Sequence, residues 1–331
     1  MFIVESYFVA VLFCIVTMLC WGSWANTQKL VADQWRFELF YWDYVIGIIL
    51  FSLLFALTLG SFGTEGRSFM EDLQQASAPN LWSALMGGIV FNLANILLVA
   101  AIAIAGMAVA FPVGIGLALA IGVVVNYIQS PLGNQVLLFG GVVLVLLAIL
   151  LNANAYRKMM KETKGVSTKG LVLSIVAGSL MGLFYKYVAA SMYPDFTVPE
   201  PGKLGPYTAV FIFSVGILAS NFVFNSILMA RPFAGEPVTY GQYFKGSFKT
   251  HLAGILGGAI WCLGMSFSII ASDKAGPAIS YGLGQGATIV AALWGIYIWK
   301  EFKQAPKGVD TLLRLMLACY VIGLALIIAA R

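Results

Sequence analysis

Residues 87–127 of the chain align with residues 257–297 at a constant offset of 170 and without a gap. Gly87-Gly88 falls on Gly257-Gly258, Leu93 on Leu263, Ala101 on Ala271 and Ala105-Gly106 on Ala275-Gly276. Ala108, Gly114, Gly116 and Tyr127 fall on Ala278, Gly284, Gly286 and Tyr297, making ten identities in forty-one positions. Shared Gly and Ala bias would not keep Gly-Gly, Ala-Gly and Gly-x-Gly in register over such a length. The chain therefore reads as two copies of one unit. Both copies are almost wholly apolar here, so the unit belongs in a membrane. If each copy holds an odd number of spans, the second lies upside down relative to the first, as in many secondary transporters.

The chain is 60% hydrophobic and 10% charged, more apolar surface than a soluble domain of 331 residues could hide. A bilayer-crossing helix takes about 20 apolar residues. Ten such segments are expected, near 6–28, 39–60, 81–103, 107–127, 135–155, 169–190, 207–229, 250–271, 276–298 and 309–330. The expected fold is an all-α polytopic membrane protein, ten transmembrane helices in a 5+5 inverted repeat. Its expected parts are a first five-helix repeat at 1–155, a basic cytoplasmic linker at 156–168 and a second repeat at 169–331. The first apolar run, from Tyr7 to Ala25, is long enough to span and has no basic segment before it, so no cleavable signal is expected.

Orientation follows from the basic residues in the loops. One set of loops holds thirteen: Lys29, Arg36, Arg157, Lys158, Lys161, Lys164, Lys169, Arg231, Lys245, Lys249, Lys300, Lys303 and Lys307. The other holds four, Arg67, Lys203, Lys274 and Arg331. The richer set faces the cytoplasm and both termini face out. The net charge of +5 is thus an orientation signal rather than a nucleic-acid signal. Cys14, Cys20, Cys262 and Cys319 lie in apolar runs without metal-ligand or CxxC spacing and read as packing residues. Neither a metal nor a cofactor is expected.

Polar residues are costly inside a membrane and turn toward the bundle interior. Thr17, Trp21, Trp24 and Gln28 follow a helical stripe in the first span, with Asn26 beside it. The third span carries Asn92 and Asn95, three apart and so on one face. The seventh carries Ser214, Asn221 and Asn225, the eighth Trp261, Ser266 and Ser268, and the ninth Tyr281, Gln285 and Thr288. These stripes either line a central cavity or bond across helices and glue the bundle; five spans showing them together favour the cavity. Gly282-x-Gly284-x-Gly286 follows no strand, so it reads as close packing and local unwinding near the midplane, not as a nucleotide loop. Pro112 in the matching stretch frees backbone carbonyls in the same way.

Three charged residues invite a role. Asp43 stands about one turn into the second span. It suits a proton carrier, or else an interfacial carboxylate paired with Lys29 or Arg36. Lys186 in the sixth span either snorkels outward or meets substrate or a carboxylate. Glu5 precedes the first span and reads as an interface residue, or else as an ion-pair or substrate contact. His251, the lone histidine, is expected at the surface of a cytoplasmic helix end.

Met1-Phe2-Ile3-Val4-Glu5-Ser6, Trp21-Gly22-Ser23-Trp24, Tyr41-Trp42-Asp43-Tyr44 and the stretch from Ala275-Gly276 through Trp294-Gly295-Ile296-Tyr297 to Glu301-Phe302-Lys303 resemble the plant ureide permeases. The resemblance runs over nearly the whole chain. The closing stretch also resembles the bacterial glucose/ribose porters of the drug/metabolite transporter superfamily. The resemblance implies ten helices in a 5+5 inverted repeat and proton-coupled uptake of small polar solutes: allantoin, uracil and related oxo-heterocycles, or sugars for the sister family. Glu5, Asp43 and Glu301 fall on positions that match the family pattern. The plant proteins carry a long central cytosolic loop with a nucleotide-type motif. Here that loop is about fifteen residues, Tyr156–Gly170, and lacks the motif, so ATP-linked regulation is not expected.

The expected function is a proton-driven permease for a small neutral polar metabolite of ureide or nucleobase type. A monosaccharide transporter is the alternative, and an exporter of drugs or amino acids a weaker one. The expected solute-binding residues are Trp21, Trp24, Asn26, Asn92, Asn95, Asn221, Asn225, Trp261, Tyr281 and Gln285, with Asp43 coupling the proton. An intramembrane enzyme is not expected, because the chain lacks a second glycine-motif aspartate, a membrane Ser–His pair and an HExxH motif. The expected partners are the solute, protons and membrane lipid, not nucleic acid. The expected setting is a bacterial inner membrane, as a monomer or homodimer.

Overall fold

The computed structural model describes residues 1–105, 107–159, 167–233 and 235–331. Gly106 of the repeat and residues 160–166 of the basic linker, with Lys161 and Lys164, lie outside the described residues. Among the described residues, ten helices are long and apolar enough to cross a bilayer, each within a few residues of its expected place. They are α1 (Tyr7–Lys29), α2 (Phe37–Leu57), α3 (Ala78–Ala105), α4 (Pro112–Gln129), α5 (Gln135–Met159), α6 (Thr168–Ser191), α7 (Pro206–Ala230), α8 (Phe248–Ala275), α9 (Pro277–Ile298) and α10 (Val309–Ala329). Among the described residues no strand is formed, only one isolated bridge between Met192 and Leu204.

Local chemistry sets the helix ends. The Ser6 hydroxyl accepts from the Val9 amide at the start of α1, and Ser247 accepts from Thr250 at the start of α8. Gly276 has φ of 82° between α8 and α9, which a residue with a Cβ rarely adopts, and Pro277 then opens α9. α8 and α9 are thus joined by a tight turn. Large apolar side chains face outward, among them Phe8, Ile128, Val136 and Phe222. Such a surface belongs in hydrocarbon, and the chain is a multi-pass membrane protein.

The interior is built on close helix crossings. α3 packs between α6 and α7, while α8 packs between α1 and α2. A Cβ placed on Gly258 of α8 would stand 1.9 Å from the Tyr44 carbonyl oxygen of α2, and one on Gly88 of α3 would stand 2.0 Å from the Phe213 oxygen of α7. Only glycine lets backbones approach so closely. α9 is interrupted at Gly286, whose amide reaches back three residues to the Leu283 oxygen. The helix thus changes to a tighter three-residue turn at the glycine motif, rather than unwinding as expected. α9 then ends in a π-turn, Trp294–Ile298.

The Tyr7 hydroxyl donates to the Ile328 carbonyl, so the beginning of α1 and the end of α10 share one face. We call it the terminus face; the other, holding the end of α5 and the beginning of α6, is the linker face. On the terminus face Arg67 ties two loops together. Its guanidinium bonds Asp72 at 2.9 Å and the Glu200 and Lys203 carbonyls, while Asp72 also accepts from the Gly205 amide.

Candidate functional site

The expected cavity residues on α3 close on one another. The Tyr41 hydroxyl of α2 donates to Asn92 Oδ1 at 2.9 Å and accepts from Asn95 Nδ2 at 3.1 Å. Asn92 Nδ2 donates to the Ser220 hydroxyl of α7 at 2.9 Å. Asn92 and Asn95 thus join α2, α3 and α7, the inter-helix glue that was the alternative reading of these amides. Asn225 donates to the Glu38 carbonyl at 2.9 Å and leaves its Oδ1 unbonded. Asn221 is fully buried, and neither its nitrogen nor its oxygen has a partner.

Beside this network lies a packed aromatic layer. Trp21 stacks on Trp261 at 5.9 Å between centroids and donates to the Trp261 carbonyl at 3.2 Å. Phe91 lies 4.4 Å from Trp261, and Trp24 lies 4.6 Å from Tyr44. Tyr281 is fully buried; its hydroxyl meets the Ala118 oxygen of α4 at 3.2 Å and the Met181 oxygen of α6 at 3.1 Å. Its ring fills the space left by Gly122, where a Cβ would sit 2.1 Å from Cε1. Gln285, 8% exposed, makes no side-chain hydrogen bond among the described residues.

Two cavities open at opposite ends of α4 and α9. The terminus-face cavity, about 460 Å³, is lined by Gln129, Ala190, Tyr193, Lys203, Asp273 and Pro277 among others. The linker-face cavity, about 400 Å³, is lined by Asn26, Gln28, Lys29, Pro112, Asn152 and Thr288 among others. Of the residues expected to bind solute, Asn26 alone lines either of these. Trp21, Trp261 and Tyr281 line neither cavity.

Asp43 is buried on the linker half of α2 and receives three donors. Trp35 Nε1 reaches Oδ2 at 3.0 Å, the Tyr243 hydroxyl reaches Oδ1 at 2.7 Å, and His251 Nδ1 lies 2.8 Å from Oδ1. Gly254, one turn along α8 from His251, leaves the room the Asp43 side chain fills. Burial and then the adjacent carboxylate push the Tyr243 hydroxyl above its ordinary value. The pairing of Asp43 with Lys29 or Arg36 does not occur: Lys29 bonds Glu301 and Arg36 bonds Glu38, each at 2.7 Å. His251 is only partly exposed, and it is a carboxylate partner rather than the plain surface residue expected. Its linear context carried no sign of this, beyond its being the sole histidine of the chain.

At the mouth of the linker-face cavity, Glu301 accepts from Lys29 and from the Tyr156 hydroxyl, both at 2.7 Å. Burial pushes the Glu301 carboxyl up, and the two donors outweigh it, holding it below its ordinary value. The Lys29 ammonium also sits 4.2 Å over the Trp299 ring, whose Nε1 donates to Asn26 Oδ1 at 2.7 Å. The π-turn and the left-handed backbone of Lys300 (φ 52°) bring Trp299 and Glu301 to this position. Lys186 is exposed, its ammonium 5.9 Å from the neighbouring Tyr187 ring, and Glu5 is exposed at the terminus face.

Ten spans, buried amides and two facing cavities describe a polytopic transporter rather than an enzyme. The ureide permease family model matches residues 40–166 and 154–330, and the chain belongs to that family, whose members are transporters. It is similar to ureide permease 1 of Arabidopsis thaliana, 23% identical over all of this chain and 99% of that protein. Similarity to ureide permease 2 of the same plant is again 23%, with the same coverage. A probable ureide permease A3 of Vigna unguiculata is 27% identical over 45% of this chain. In fold, the chain resembles a protein of known crystal structure with a TM-score of 0.62, at 15% identity and 96% coverage of both chains.

Proposed function

We propose that the protein is a proton-coupled permease that takes up a small neutral polar solute of the ureide or nucleobase class by alternating access. The observation that carries this is the pair of cavities at opposite ends of α4 and α9, with the partly buried Trp21 and the buried Trp261 and Tyr281 between them. A solute path closed only at its middle is what an occluded alternating-access cycle requires. Trp24, Asn221, Asn225 and Gln285 flank that layer; they become solute contacts when it parts, as Asn92 and Asn95 do on exchanging their mutual bonds for solute. The related ureide permeases favour this solute class over sugars.

The crossings support two inverted halves, 1–155 and 169–331 about the linker. Gly88 on Phe213 and Gly258 on Tyr44 are the same contact with the halves exchanged, as are Gly216 on Leu85 and Gly47 on Ile255. The excess of basic residues puts the linker face in the cytoplasm and both termini outside, in a bacterial inner membrane. Asp43 carries the coupled proton, because it is the buried carboxylate whose partner His251 reaches the linker face.

Purified protein in proteoliposomes tests this with labelled allantoin, uracil and glucose under an imposed proton gradient. Gradient-driven accumulation of allantoin or uracil, discharged by an uncoupler, is the expected result. Accumulation of glucose alone, or uptake indifferent to the gradient, rejects the solute class or the coupling respectively.

A further inference from the structure

The linker-face cavity contains two amides that bond no other group among the described residues. Asn152 of α5 is 8% exposed, its Oδ1 has no hydrogen-bond partner, and its Nδ2 makes no bond among the described residues. Gln28 of α1, partly exposed and also lining the cavity, makes no side-chain hydrogen bond among the described residues. A buried primary amide without partners forfeits roughly 1–3 kcal/mol per unmet group, so such a group marks a place where something else binds. Every other polar group at the mouth is already engaged: Asn26 by Trp299 and Ser23, and Glu301 by Lys29 and Tyr156.

We infer that this cavity is a solute-binding subsite, in which Asn152 and Gln28 each pair with an N–H/C=O edge of a neutral amide- or imide-containing solute. The inference rests on the permease reading and adds a site that reading does not use, at the cytoplasmic end of the path. A primary amide presents one acceptor and two donors in a plane, and an oxo-heterocycle presents a complementary pair on one edge. The two free amides stand on different helices, α1 and α5, so each can meet a different edge of one planar ring. The volume of about 400 Å³ suits a small molecule. Charged solutes are disfavoured, since Lys29 and Glu301 neutralise each other.

In this subsite a solute released from the midplane layer holds the amides until it leaves past the Lys29–Glu301 pair. These four residues belong to three segments: Gln28 and Lys29 to α1, Asn152 to α5 and Glu301 to the turn after α9. The subsite therefore reports whether the linker face is open.

The test is thiol protection on the full-length protein in detergent. Ala153 lines the cavity beside Asn152, whereas the native Cys14, Cys20 and Cys262 are buried. An Ala153→Cys variant in a Cys319→Ser background is labelled with a maleimide in the presence of uracil, hydantoin or glucose. Uracil or hydantoin is expected to slow labelling several-fold, and glucose to leave it unchanged. Asn152→Leu, close in volume, should weaken that protection about tenfold, the cost of a lost hydrogen-bonded pair. Asn152→Gln should restore part of it. Equal labelling rates with and without uracil and hydantoin overturn the subsite, even where proteoliposomes accumulate the solute. Protection without any uptake keeps the subsite and rejects the permease reading instead. Should Asn152→Leu not fold, Gln28→Leu carries the same comparison from the opposite wall.

Discussion

Asp43 and His251 lie 208 residues apart in the chain, and their Oδ1 and Nδ1 atoms meet at 2.8 Å. Two more donors, Trp35 and Tyr243, complete the shell around this carboxylate, so it is fully buried while the imidazole keeps a partly exposed edge. A proton leaving Asp43 therefore has one titratable neighbour, apart from the Tyr243 phenol, through which to reach the linker face.

If the carboxylate carries the coupled proton, Asp43→Asn will separate the two activities of a symporter. Gradient-driven accumulation should fall at least about tenfold, since the amide cannot exchange a proton. Solute exchange across preloaded vesicles, which moves no net proton, should persist. His251→Gln keeps one hydrogen bond to Asp43 and loses the titratable ring, so its accumulation should lose the wild-type pH profile while exchange remains. Equal loss of accumulation and exchange in both variants would assign the cluster to structure alone.

The glycine crossings make a stability prediction. In Gly258→Ala the new methyl meets the Tyr44 carbonyl at 1.9 Å, and backbone oxygen on a packed helix cannot step aside cheaply. Destabilisation of about 1–3 kcal/mol is expected, typical of overpacking. Gly140→Ala is the matched control. Its Cβ would meet nothing nearer than Leu326 Cδ1 at 3.9 Å, and alanine is the better helix former, so stability should hold or rise. Thermal unfolding of the two variants in one detergent decides it: similar shifts would mean that α2 and α8 are not seated as closely as described.

Much of this was legible in the sequence, for identifiable reasons. Hydropathy and length gave the ten spans, because a bilayer fixes both. The Gly282-x-Gly284-x-Gly286 run foretold the interruption at Gly286, since glycine removes the side chain that would hold a helix together there. Helical spacing correctly turned Asn92, Asn95 and Asn221 inward. Spacing cannot say what inward groups meet: that Asn92 and Asn95 bond Tyr41 in this closed arrangement was not legible. The Asp43–His251 contact joins segments with no shared periodicity. Asn152 and Asn154 are two apart in an apolar span, so they fall on different faces and form no stripe to draw the eye.

The Glu301 carboxyl lies below its ordinary value because Lys29 and Tyr156 outweigh its burial. A depressed carboxyl contributes its stability in full above the unfolded value, about 4.3, and loses it as pH falls through the lower folded value. Wild-type protein should thus unfold at a higher temperature than Glu301→Gln near neutrality, and the gap should close on acidification through that window. The difference will be small, since the pair is partly exposed. A gap that widens in acid would put another group in control of the mouth.

Tyr281 is placed to resist opening of the midplane. It sits on α9 between Pro277, at one cavity, and Thr288, at the other, and its hydroxyl reaches into both α4 and α6. Tyr281→Phe keeps the ring in the notch at Gly122 and removes those two contacts alone. A cost near 1 kcal/mol in stability is expected, together with faster solute exchange, because the closed layer loses more than an opened one does. Gly122→Ala acts on the ring instead. Its methyl would stand 2.1 Å from Tyr281 Cε1, so the ring must leave its site and the stability loss should be larger. Thermal unfolding and counterflow rates on both variants separate the roles. Slower exchange in Tyr281→Phe would make the hydroxyl a solute contact rather than a bolt between helices.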